Sequence, residues 1–535
     1  MRTPKIHETI GSFHSADAKD SRASGYHRLG RSGSRVFSEA SNIGGSPWPQ
    51  NRQKHHHVHR PLRVLKFGGT SVGDASSISK AVRIIEDAAT TGGVLVVVSA
   101  MSGVTNKLIR AANLAAAGDE AAVDAVMSEL RHQHVATFDA LVVSGGQRHS
   151  FRRKLAALLE EYAANCRELA SIGRPTAKLL DAISGLGERL SAPLVAAALN
   201  DRGVAGAAME GSELIITNAD HGAAEPLMGL TTERCHQRLQ PLLQQGIIPV
   251  VTGFIGGTES GVLTTLGRGG SDYSATIVAA ALGAEEVIIW TDVDGILTAD
   301  PCMVPNAATI RELSYREAAE LAHFGAKVLH PKAIRPLLKS GITMWIRNTF
   351  SPEQPGTKIV PERQIETIQD ITGLATMRNV TLIRISGPGI FDETEALDRA
   401  VAAVAAAQAE SLVISQSSTG NEIFFLVPSS ALEIALEALR REFSPDLQSG
   451  KAVYITNSNV ALLTEVIHNV SSVKKILDRT CGVLMREKVN VHAYAAASSE
   501  CTHSFVLALD DIDRALLAIH REFQFHSMCP SKLQT

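Results

Sequence analysis

The first half of the chain alternates continuous apolar runs with longer segments of helical spacing. The runs predict strands buried on both faces, at residues 64–67, 94–99, 246–252 and 286–291. Residues 78–89 repeat their apolar positions every three to four residues, as amphipathic helices do, and residues 111–166 predict helical hairpins. Strands that alternate with helices indicate an α/β domain with a mainly parallel sheet. We expect this domain at residues 61–360, because a Pro- and Gly-rich turn at 351–356 is followed by a polar linker.

The second half predicts a repeat. Residues 412–427 precede a helix that ends in Arg441-Glu442-Phe443, and residues 491–509 precede a helix that ends in Arg521-Glu522-Phe523. Each copy is expected to run strand, helix, strand, strand, helix, which is the ferredoxin-like α+β order. We expect one copy at residues 371–457 and the other at 458–535. Two such copies suggest a regulatory module whose sheets join edge to edge.

Composition narrows the classes of function. Of 535 residues, 44% are hydrophobic, 20% are charged and 4% are aromatic, and the formal net charge is -3. This is the composition of a globular protein, and it gives no basis for binding nucleic acid or a membrane. The six cysteines show no CxxC spacing, so neither a disulfide framework nor a zinc site is indicated.

Residues 1–60 differ from the rest of the chain. They are rich in Ser, Gly, Arg and His, and they contain few aliphatic residues. We expect a disordered extension, because this composition cannot bury a core. The abundance of Arg and Ser leaves organelle targeting open, although four acidic residues weaken that signal. We expect a cytoplasmic protein unless residues 1–60 direct it to an organelle.

The most informative segment is Thr265-Leu-Gly-Arg-Gly-Gly-Ser-Asp-Tyr-Ser274, which leads into a predicted helix. Glycines at a helix entrance let a ligand approach the backbone, and the free N–H groups of the first turn suit an anion. Arg268 adds a planar fork for a carboxylate or phosphate. Asp272 adds a negative charge that suits a metal ion or an ammonium group. Alone, the segment predicts an anion site or merely a capped helix.

Further candidate residues stand at predicted strand ends and turns. Lys66 closes the first strand ahead of Gly68 and Gly69, where its charge can offset that of a transferring phosphoryl group. Glu188 follows a glycine turn and can accept hydrogen bonds from an ammonium group, or it can simply stabilise a helix N-terminus. Asp292 follows a buried strand in what is either a nucleotide pocket or an ordinary Asp-Gly turn. The GxxxxGK[ST] and GxGxxG patterns are absent.

Five motifs in order resemble those of the aspartate kinases. They are Lys66-Phe-Gly-Gly-Thr-Ser71, Ser99-Ala100 with Gly103-Val-Thr-Asn106, Gly187-Glu-Arg-Leu-Ser191, Gly267-Arg-Gly-Gly-Ser-Asp272 and Phe324-Gly-Ala-Lys-Val-Leu-His-Pro331. Trp290-Thr-Asp-Val293 matches as well, so the likeness spans about residues 62–523. It implies an amino-acid-kinase (carbamate-kinase-like) three-layer αβα sandwich followed by two ACT domains. The implied reaction converts ATP and L-aspartate to 4-phospho-L-aspartate and ADP, the entry step to lysine, threonine and methionine.

The resemblance also implies a role for each motif residue. Lys66 contacts the transferring phosphoryl group, Asp272 supports the constellation, and Mg²⁺ accompanies ATP. Arg268 takes the α-carboxylate of aspartate and Glu188 its ammonium group. The remaining residues of the aspartate-binding site are Thr105, Gly269, Gly270 and Ser271. The nucleotide site is expected to comprise Lys66, Gly68, Gly69, Thr70, Thr291, Asp292, Leu297, Cys302, Lys327 and Val328.

Two positions depart from the family. Leu297 stands where an aromatic residue is usual, and Cys302 stands where arginine is usual after the Asp-Pro pair. Neither residue transfers phosphate in the implied scheme, so we expect a higher KM for ATP and an intact catalytic site.

The regulatory half resembles that of threonine-sensitive aspartate kinases fused to homoserine dehydrogenase. Ser386-Gly-Pro-Gly389 and Ser415-Gln-Ser-Ser418 carry this likeness. It implies feedback by threonine or lysine at Gln416, Ser417 and Ser418, and a homodimer or homotetramer formed through the ACT domains. Ala496 replaces the glutamine in the second copy, so the two effector sites should differ.

Two other interpretations stay open. One is another amino-acid kinase, which the ACT pair and the Phe324–Pro331 motif disfavour. The other is a non-catalytic subunit that senses an amino acid, for which Leu297 and Cys302 are the only support.

Overall fold

The computed structural model describes residues 61–325, 328–363, 370–386, 395–416, 422–448, 454–468, 470–496, 501–523 and 525. Among these residues the first half contains ten strands and ten α-helices. The strands are β1 (Leu62–Phe67), β2 (Gly93–Val98), β3 (Gly206–Met209), β4 (Ile248–Thr252), β5 (Ile255–Gly257), β6 (Leu263–Thr265), β7 (Glu286–Thr291), β8 (Glu312–Ser314), β9 (Thr343–Asn348) and β10 (Thr357–Val360). The helices are α1 (Ala75–Thr91), α2 (Val104–Ala116), α3 (Ala121–Leu141), α4 (Arg148–Ile172), α5 (Ala177–Ser184), α6 (Leu186–Asp201), α7 (Met228–Gln244), α8 (Gly270–Leu282), α9 (Tyr315–His323) and α10 (Arg335–Ser340).

Eight of these strands form one sheet in the order β3-β4-β2-β1-β7-β9-β10-β8, and β5 and β6 form a separate hairpin. All pairs in the large sheet are parallel except β9 with β10. Neighbouring side chains of β1 lie in different apolar clusters on the two faces of the sheet. Leu65 belongs to the cluster that includes α1 to α6, and Val64 belongs to the cluster that includes α7 and α8. The sheet therefore lies between two helical layers, and the predicted αβα sandwich is confirmed.

The described part of the second half contains six strands and four α-helices. The strands are β11 (Ile371–Ser386), β12 (Val413–Gln416), β13 (Glu422–Pro428), β14 (Tyr454–Ile467), β15 (Val491–Ala496) and β16 (Thr502–Ala508). The helices are α11 (Glu395–Ala406), α12 (Leu432–Gln448), α13 (Val473–Arg486) and α14 (Ile512–Glu522). The predicted order strand, helix, strand, strand, helix occurs twice.

The two copies share one antiparallel sheet in the order β12-β13-β11-β14-β16-β15. The long strands β11 and β14 pair along their whole length, with a register shift between Met377 and Val380. Beyond this shift β11 pairs with β13, and the later part of β14 pairs with β16. We name the four strands around β13 lobe 1 and the four around β16 lobe 2. Each lobe is ferredoxin-like, and residues 371–377 complete lobe 2 although they precede lobe 1 in the chain. The expected boundary between residues 457 and 458 lies within β14.

One face of this sheet packs against the first half of the chain. Leu382 and Leu462 share an apolar cluster with Leu321 of α9 and with Phe324. Gly325 has φ +120°, and a Cβ there would lie 2.5 Å from the carbonyl oxygen of Thr376 on β11. Only glycine therefore fits this contact between the two halves.

A buried carboxylate strengthens the same junction. Glu317 caps α9 through Ser314, accepts a hydrogen bond from Thr372 Oγ1 at 2.5 Å, and lies 3.2 Å from Arg363 Nη1. Burial acts to raise the pKa of Glu317. Hydrogen bonds from His468, Thr372 and Ser314, with the charge of Arg363, outweigh burial and lower the pKa to about 2.

We predict that Glu317→Gln lowers the stability of the protein at pH 7, by about 3 kcal/mol, because Arg363 loses its buried counter-ion. The folded pKa lies below the unfolded value of 4.5, so Glu317 stabilises the fold above pH 4.5 and less as the pH approaches 2. Urea midpoints at pH 7 and pH 4 should show the gap between wild type and variant narrowing in acid. Glu437→Gln, at an exposed pair with Arg441, is the control and should change little. A gap independent of pH would contradict this account.

Candidate active site

A cavity of about 290 Å³ lies where β1 and β2 end and α8 begins. It is lined by Lys66, Ser99, Thr105, Glu188, Phe254, Gly267, Arg268, Gly269, Gly270, Ser271 and Asp272. The carboxyl ends of parallel strands meet at one edge of a sheet, which is where such folds bind ligands. The structure thus brings together eight predicted residues from four separate segments of the sequence.

Lys66 and Asp272 form the charged centre of the cavity. Lys66 Nζ lies 2.5 Å from Asp272 Oδ1, and the side chains are only 10% and 11% exposed. Asp272 is in the first turn of α8, so its charge also faces the positive end of the helix. Lys66 is therefore a buried cation, and its partner Asp272 is held by α8, the helix that directly follows the glycine-rich loop.

Glu188 enters from the first turn of α6. It is 4% exposed, and its Oε2 has no hydrogen-bond partner among the residues that the structure describes. Burial raises the pKa of this carboxyl to about 8, against the opposing effects of the backbone N–H groups of Ala100 and Glu188 and the charge of Lys66. A buried carboxyl oxygen without a partner suits a ligand that brings a donor and a positive charge, because that charge favours the ionised form of the carboxyl.

Close backbone packing sets the distance between these groups. A Cβ on Gly187 would lie 2.5 Å from Ala100 Cβ and 3.5 Å from Thr105 Oγ1, so a larger residue would push α6 away from α2. Gly269 has φ +68°, and a Cβ there would lie 2.3 Å from His330 Cβ. Both positions require glycine for proximity, and the second also for its backbone conformation.

The loop after β1 joins the cavity to the end of β7. Gly68 N–H donates to the carbonyl oxygen of Trp290 at 3.0 Å, and Ser71 Oγ donates to the same oxygen at 3.2 Å. Thr291 accepts a hydrogen bond from Thr349 N at 2.8 Å, and Asp292 is exposed beside it. The turn that begins at Gly68 is thus joined to the end of β7, next to Thr291.

The other expected nucleotide residues lie further along the chain. Leu297 is partly exposed and bridges to Thr309, and Cys302 is exposed, with its N–H donating to Asp300 Oδ1 at 2.9 Å. Val328 is partly buried near His330. Lys327 lies outside the described residues, as do Ser417 and Ser418, whereas Gln416 is exposed at the end of β12.

Three contributors have no role in the sequence analysis, although Ser99 and His330 lie within its motifs. Phe254 lines the cavity at φ +67° and packs against Gly270. In the sequence, the only sign of its role is the glycine before it, which follows the end of β4. Ser99 accepts a hydrogen bond from Ser191 Oγ at 2.7 Å, which ties β2 to α6. His330 packs on Gly269, and its pKa is lowered by burial and by Lys332, with Asp272 opposing.

A family model described as the amino acid kinase family matches residues 61–348, which hold every residue of the cavity. The chain belongs to this family. Aspartokinase 1 of Arabidopsis thaliana, a chloroplastic protein, is 30% identical over 475 residues, which are 86% of this chain and 80% of that protein. Within the family the chain therefore belongs with the aspartokinases, and the resemblance of the motifs is confirmed.

Longer relatives match as well. The bifunctional aspartokinase/homoserine dehydrogenase of Daucus carota is 32% identical over 98% of this chain and 57% of its own length. Bifunctional aspartokinase/homoserine dehydrogenase 2 of Arabidopsis thaliana is 32% identical over 86% of this chain and 50% of its length. The chain spans about half the length of these curated relatives.

Solved aspartokinases share the fold. Escherichia coli aspartokinase III in complex with aspartate and ADP, in its R-state, is 28% identical with a TM-score of 0.73, over 86% of this chain and 99% of that one. The same enzyme in complex with lysine and aspartate, in its T-state, is 27% identical with a TM-score of 0.69, again over 86% of this chain and 99% of that one.

We predict that Glu188 titrates near pH 8 in the ligand-free protein, because its buried carboxylate lacks a full set of partners. Infrared difference spectra between wild type and Glu188→Gln should show a protonated carboxyl band at pH 6 that disappears by pH 10. Lys66→Met should move the midpoint upward, since the charge of Lys66 lowers this pKa. A midpoint near 4.5 would contradict the prediction.

Proposed function

We propose that the chain is an aspartate kinase, which transfers the γ-phosphoryl group of ATP to the side-chain carboxylate of L-aspartate. The observation that carries the proposal is the cavity itself. It is lined by a buried carboxyl group, Glu188, whose Oε2 has no partner in the described part of the chain, by an arginine on a glycine-rich loop, and by a buried lysine. An α-amino acid presents an ammonium and a carboxylate that match the first two groups.

The reaction needs little proton transfer. The side-chain carboxyl of aspartate has a pKa of about 3.9, so it is already an anion at neutral pH. One of its oxygens forms a bond to the γ-phosphorus, the bond from that phosphorus to the β–γ bridging oxygen breaks, and ADP leaves with the electron pair. Catalysis is then mainly alignment and stabilisation of charge.

The residues divide these tasks. Arg268 binds the α-carboxylate and Glu188 the ammonium group, which leaves the side-chain carboxylate directed at Lys66. Lys66 neutralises charge on the transferring group, and Asp272 holds Lys66 in place from α8. Thr105, Gly269, Gly270 and Ser271 complete the aspartate site.

The nucleotide is assigned to the edge formed by Gly68, Gly69, Thr70, Thr291 and Asp292. Backbone N–H groups of a glycine-rich turn suit phosphate oxygens. Mg²⁺ usually takes one or two carboxylates together with substrate phosphates, and the exposed Asp292 suits that role. When bound, the ion would neutralise phosphate charge. Lys327 and Val328 are proposed as further nucleotide residues.

Feedback regulation is proposed for the six-stranded sheet. Escherichia coli aspartokinase III has been solved with lysine, and Gln416 lies at an exposed strand end here. We propose threonine or lysine as the effector, bound at Gln416, Ser417 and Ser418. Activity unchanged by either amino acid at millimolar concentration would contradict this.

Self-association is proposed through the sheet edges. Both edge strands, β12 and β15, carry exposed apolar side chains, among them Ile414 and Tyr494. Outer strands that carry exposed apolar side chains favour association with another copy. Light scattering should give a dimer or tetramer, and a monomer at micromolar concentration would contradict the proposal.

The compartment is proposed to be the cytoplasm, with organelle import as the alternative that residues 1–60 leave open. Several relatives are named chloroplastic. No helix in the described part of the chain is long and apolar enough to cross a membrane. A fluorescent protein carrying residues 1–60 would separate the two locations.

The direct test is an aspartate hydroxamate assay with ATP and Mg²⁺, on wild type and on Lys66→Ala. We predict hydroxamate from wild type and a loss of at least about 100-fold in kcat in the variant, because charge stabilisation at the transferring group is lost. Lys358→Ala, which removes a partly exposed lysine of β10 from its contact with the buried Glu312 of β8, is the control for loss of a lysine far from the cavity. No hydroxamate from folded wild type, with binding of threonine or lysine but not of ATP, would favour the sensing subunit.

Leu297 and Cys302, the two positions that depart from the family pattern, predict weak binding of ATP. We expect Cys302→Arg together with Leu297→Tyr to lower the KM for ATP several-fold, because a cation and a stacking surface are restored. The KM for aspartate should stay the same. Steady-state kinetics check this, and an unchanged KM for ATP would mean that these positions do not contact the nucleotide.

A further inference from the structure

Beneath the glycine-rich loop lies the segment 218–225, which we name the support loop. Its Ala224 N–H donates to the carbonyl oxygen of Thr265 at 2.9 Å. Gly267 has φ +78°, and a Cβ there would lie 3.0 Å from the carbonyl oxygen of Gly222. The support loop is therefore in direct contact with the backbone that leads to Arg268.

Asp181, on α5, holds both loops at once. One carboxylate oxygen accepts a hydrogen bond from Thr265 Oγ1 at 2.5 Å. The other lies 2.7 Å from His221 Nδ1 and accepts from Gly222 N at 3.1 Å. A carboxylate only accepts, so Nδ1 of His221 carries the proton in this contact. Asp181 is 2% exposed, so its three partners replace the water that would otherwise solvate the charge.

The other end of the support loop is fixed to α8. Glu225 Oε2 accepts a hydrogen bond from Tyr273 Oη at 3.0 Å, and Glu225 Oε1 lies 3.2 Å from Lys332 Nζ. Tyr273 follows Asp272 directly. The support loop is thus attached on one side to α5 through Asp181 and on the other to the helix that carries the catalytic motif.

The glycine-rich loop needs such external support. Gly267 and Gly269 both have positive φ, and glycine gives the loop no side chains that could fix its path. The Thr265 side chain is the last before Arg268 to make a hydrogen bond to another element, since Leu266 is apolar and Gly267 has no side chain. Its anchor is a buried charge, and hydrogen bonds to charged groups are the stronger kind.

We propose that Asp181 is a positioning residue for the substrate site. Through Thr265 and the support loop it sets where Arg268 meets the α-carboxylate of aspartate. The inference rests on the proposed function, because it assigns Arg268 to aspartate. It adds a residue outside the cavity to the machinery of substrate binding.

The strand β6 supplies a matched control. Thr264 and Thr265 are adjacent, and both are buried. Thr265 Oγ1 bonds to Asp181, whereas Thr264 Oγ1 lies 2.7 Å from Thr217 Oγ1, on the other side of the strand. Thr→Val at either position removes one buried hydrogen bond at nearly constant volume, so loss of stability should be similar.

The experiment measures KM and kcat for both substrates, and the Kd of aspartate by calorimetry, for wild type, Asp181→Asn, Thr265→Val, Thr265→Ser and Thr264→Val. For Asp181→Asn and Thr265→Val we expect the KM and Kd of aspartate to rise about tenfold, as for loss of one charged hydrogen bond. The kcat and the KM for ATP should change less than twofold. Thr265→Ser keeps the hydroxyl and should retain wild-type values, as should Thr264→Val.

Each result decides the inference. The inference would be overturned if the KM and Kd of aspartate were unchanged in Thr265→Val, or if they rose equally in Thr264→Val. The Thr265 variants decide the question even if Asp181→Asn fails to fold. Wild type that binds aspartate without phosphorylating it would contradict the proposed reaction, while the Kd values still test Asp181. Wild type that does not bind aspartate would overturn both proposals.

Discussion

The buried ion pair of Lys66 and Asp272 is the interaction on which the site depends. It joins the end of β1 to the first turn of α8, and both partners are almost inaccessible to water. Two such charges are stable only together, since removing either leaves the other buried and uncompensated. The pair therefore fixes the central strand of the sheet against the helix that carries the glycine-rich loop.

From this pair outward, proximity is maintained by backbone contact. The close approach of Gly187 to Ala100 brings Glu188 to the cavity, and Gly269 packs directly on His330. His330 follows α9, whose first turn carries Glu317, the carboxylate that contacts Arg363 and the first strand of the six-stranded sheet. The segment that runs from α9 to His330 thus contacts the glycine-rich loop near its end and the regulatory half near its start.

Local chemistry made much of this predictable. The strand at residues 286–291 was expected with the bounds it has, because a short apolar run between turns has few alternatives. Lys66, Glu188 and Arg268 stood out because glycines beside charged residues at strand ends are typical of ligand sites. Long-range pairing was not predictable. Asp181 and Thr265 are 84 residues apart, and nothing near either one indicates the other. The repeat likewise predicted two copies, but not that residues 371–377 pair across to β14 in lobe 2.

The central claim is that the side-chain carboxylate of aspartate attacks the γ-phosphorus in this cavity. The most direct test uses aspartate labelled with ¹⁸O in that carboxylate, with the acyl phosphate trapped by hydroxylamine and the released phosphate analysed by mass spectrometry. Our account predicts one ¹⁸O in the phosphate, because the bridging oxygen comes from aspartate and leaves with phosphorus. Label in the phosphate only when the α-carboxylate carries ¹⁸O, or in neither case, would contradict it.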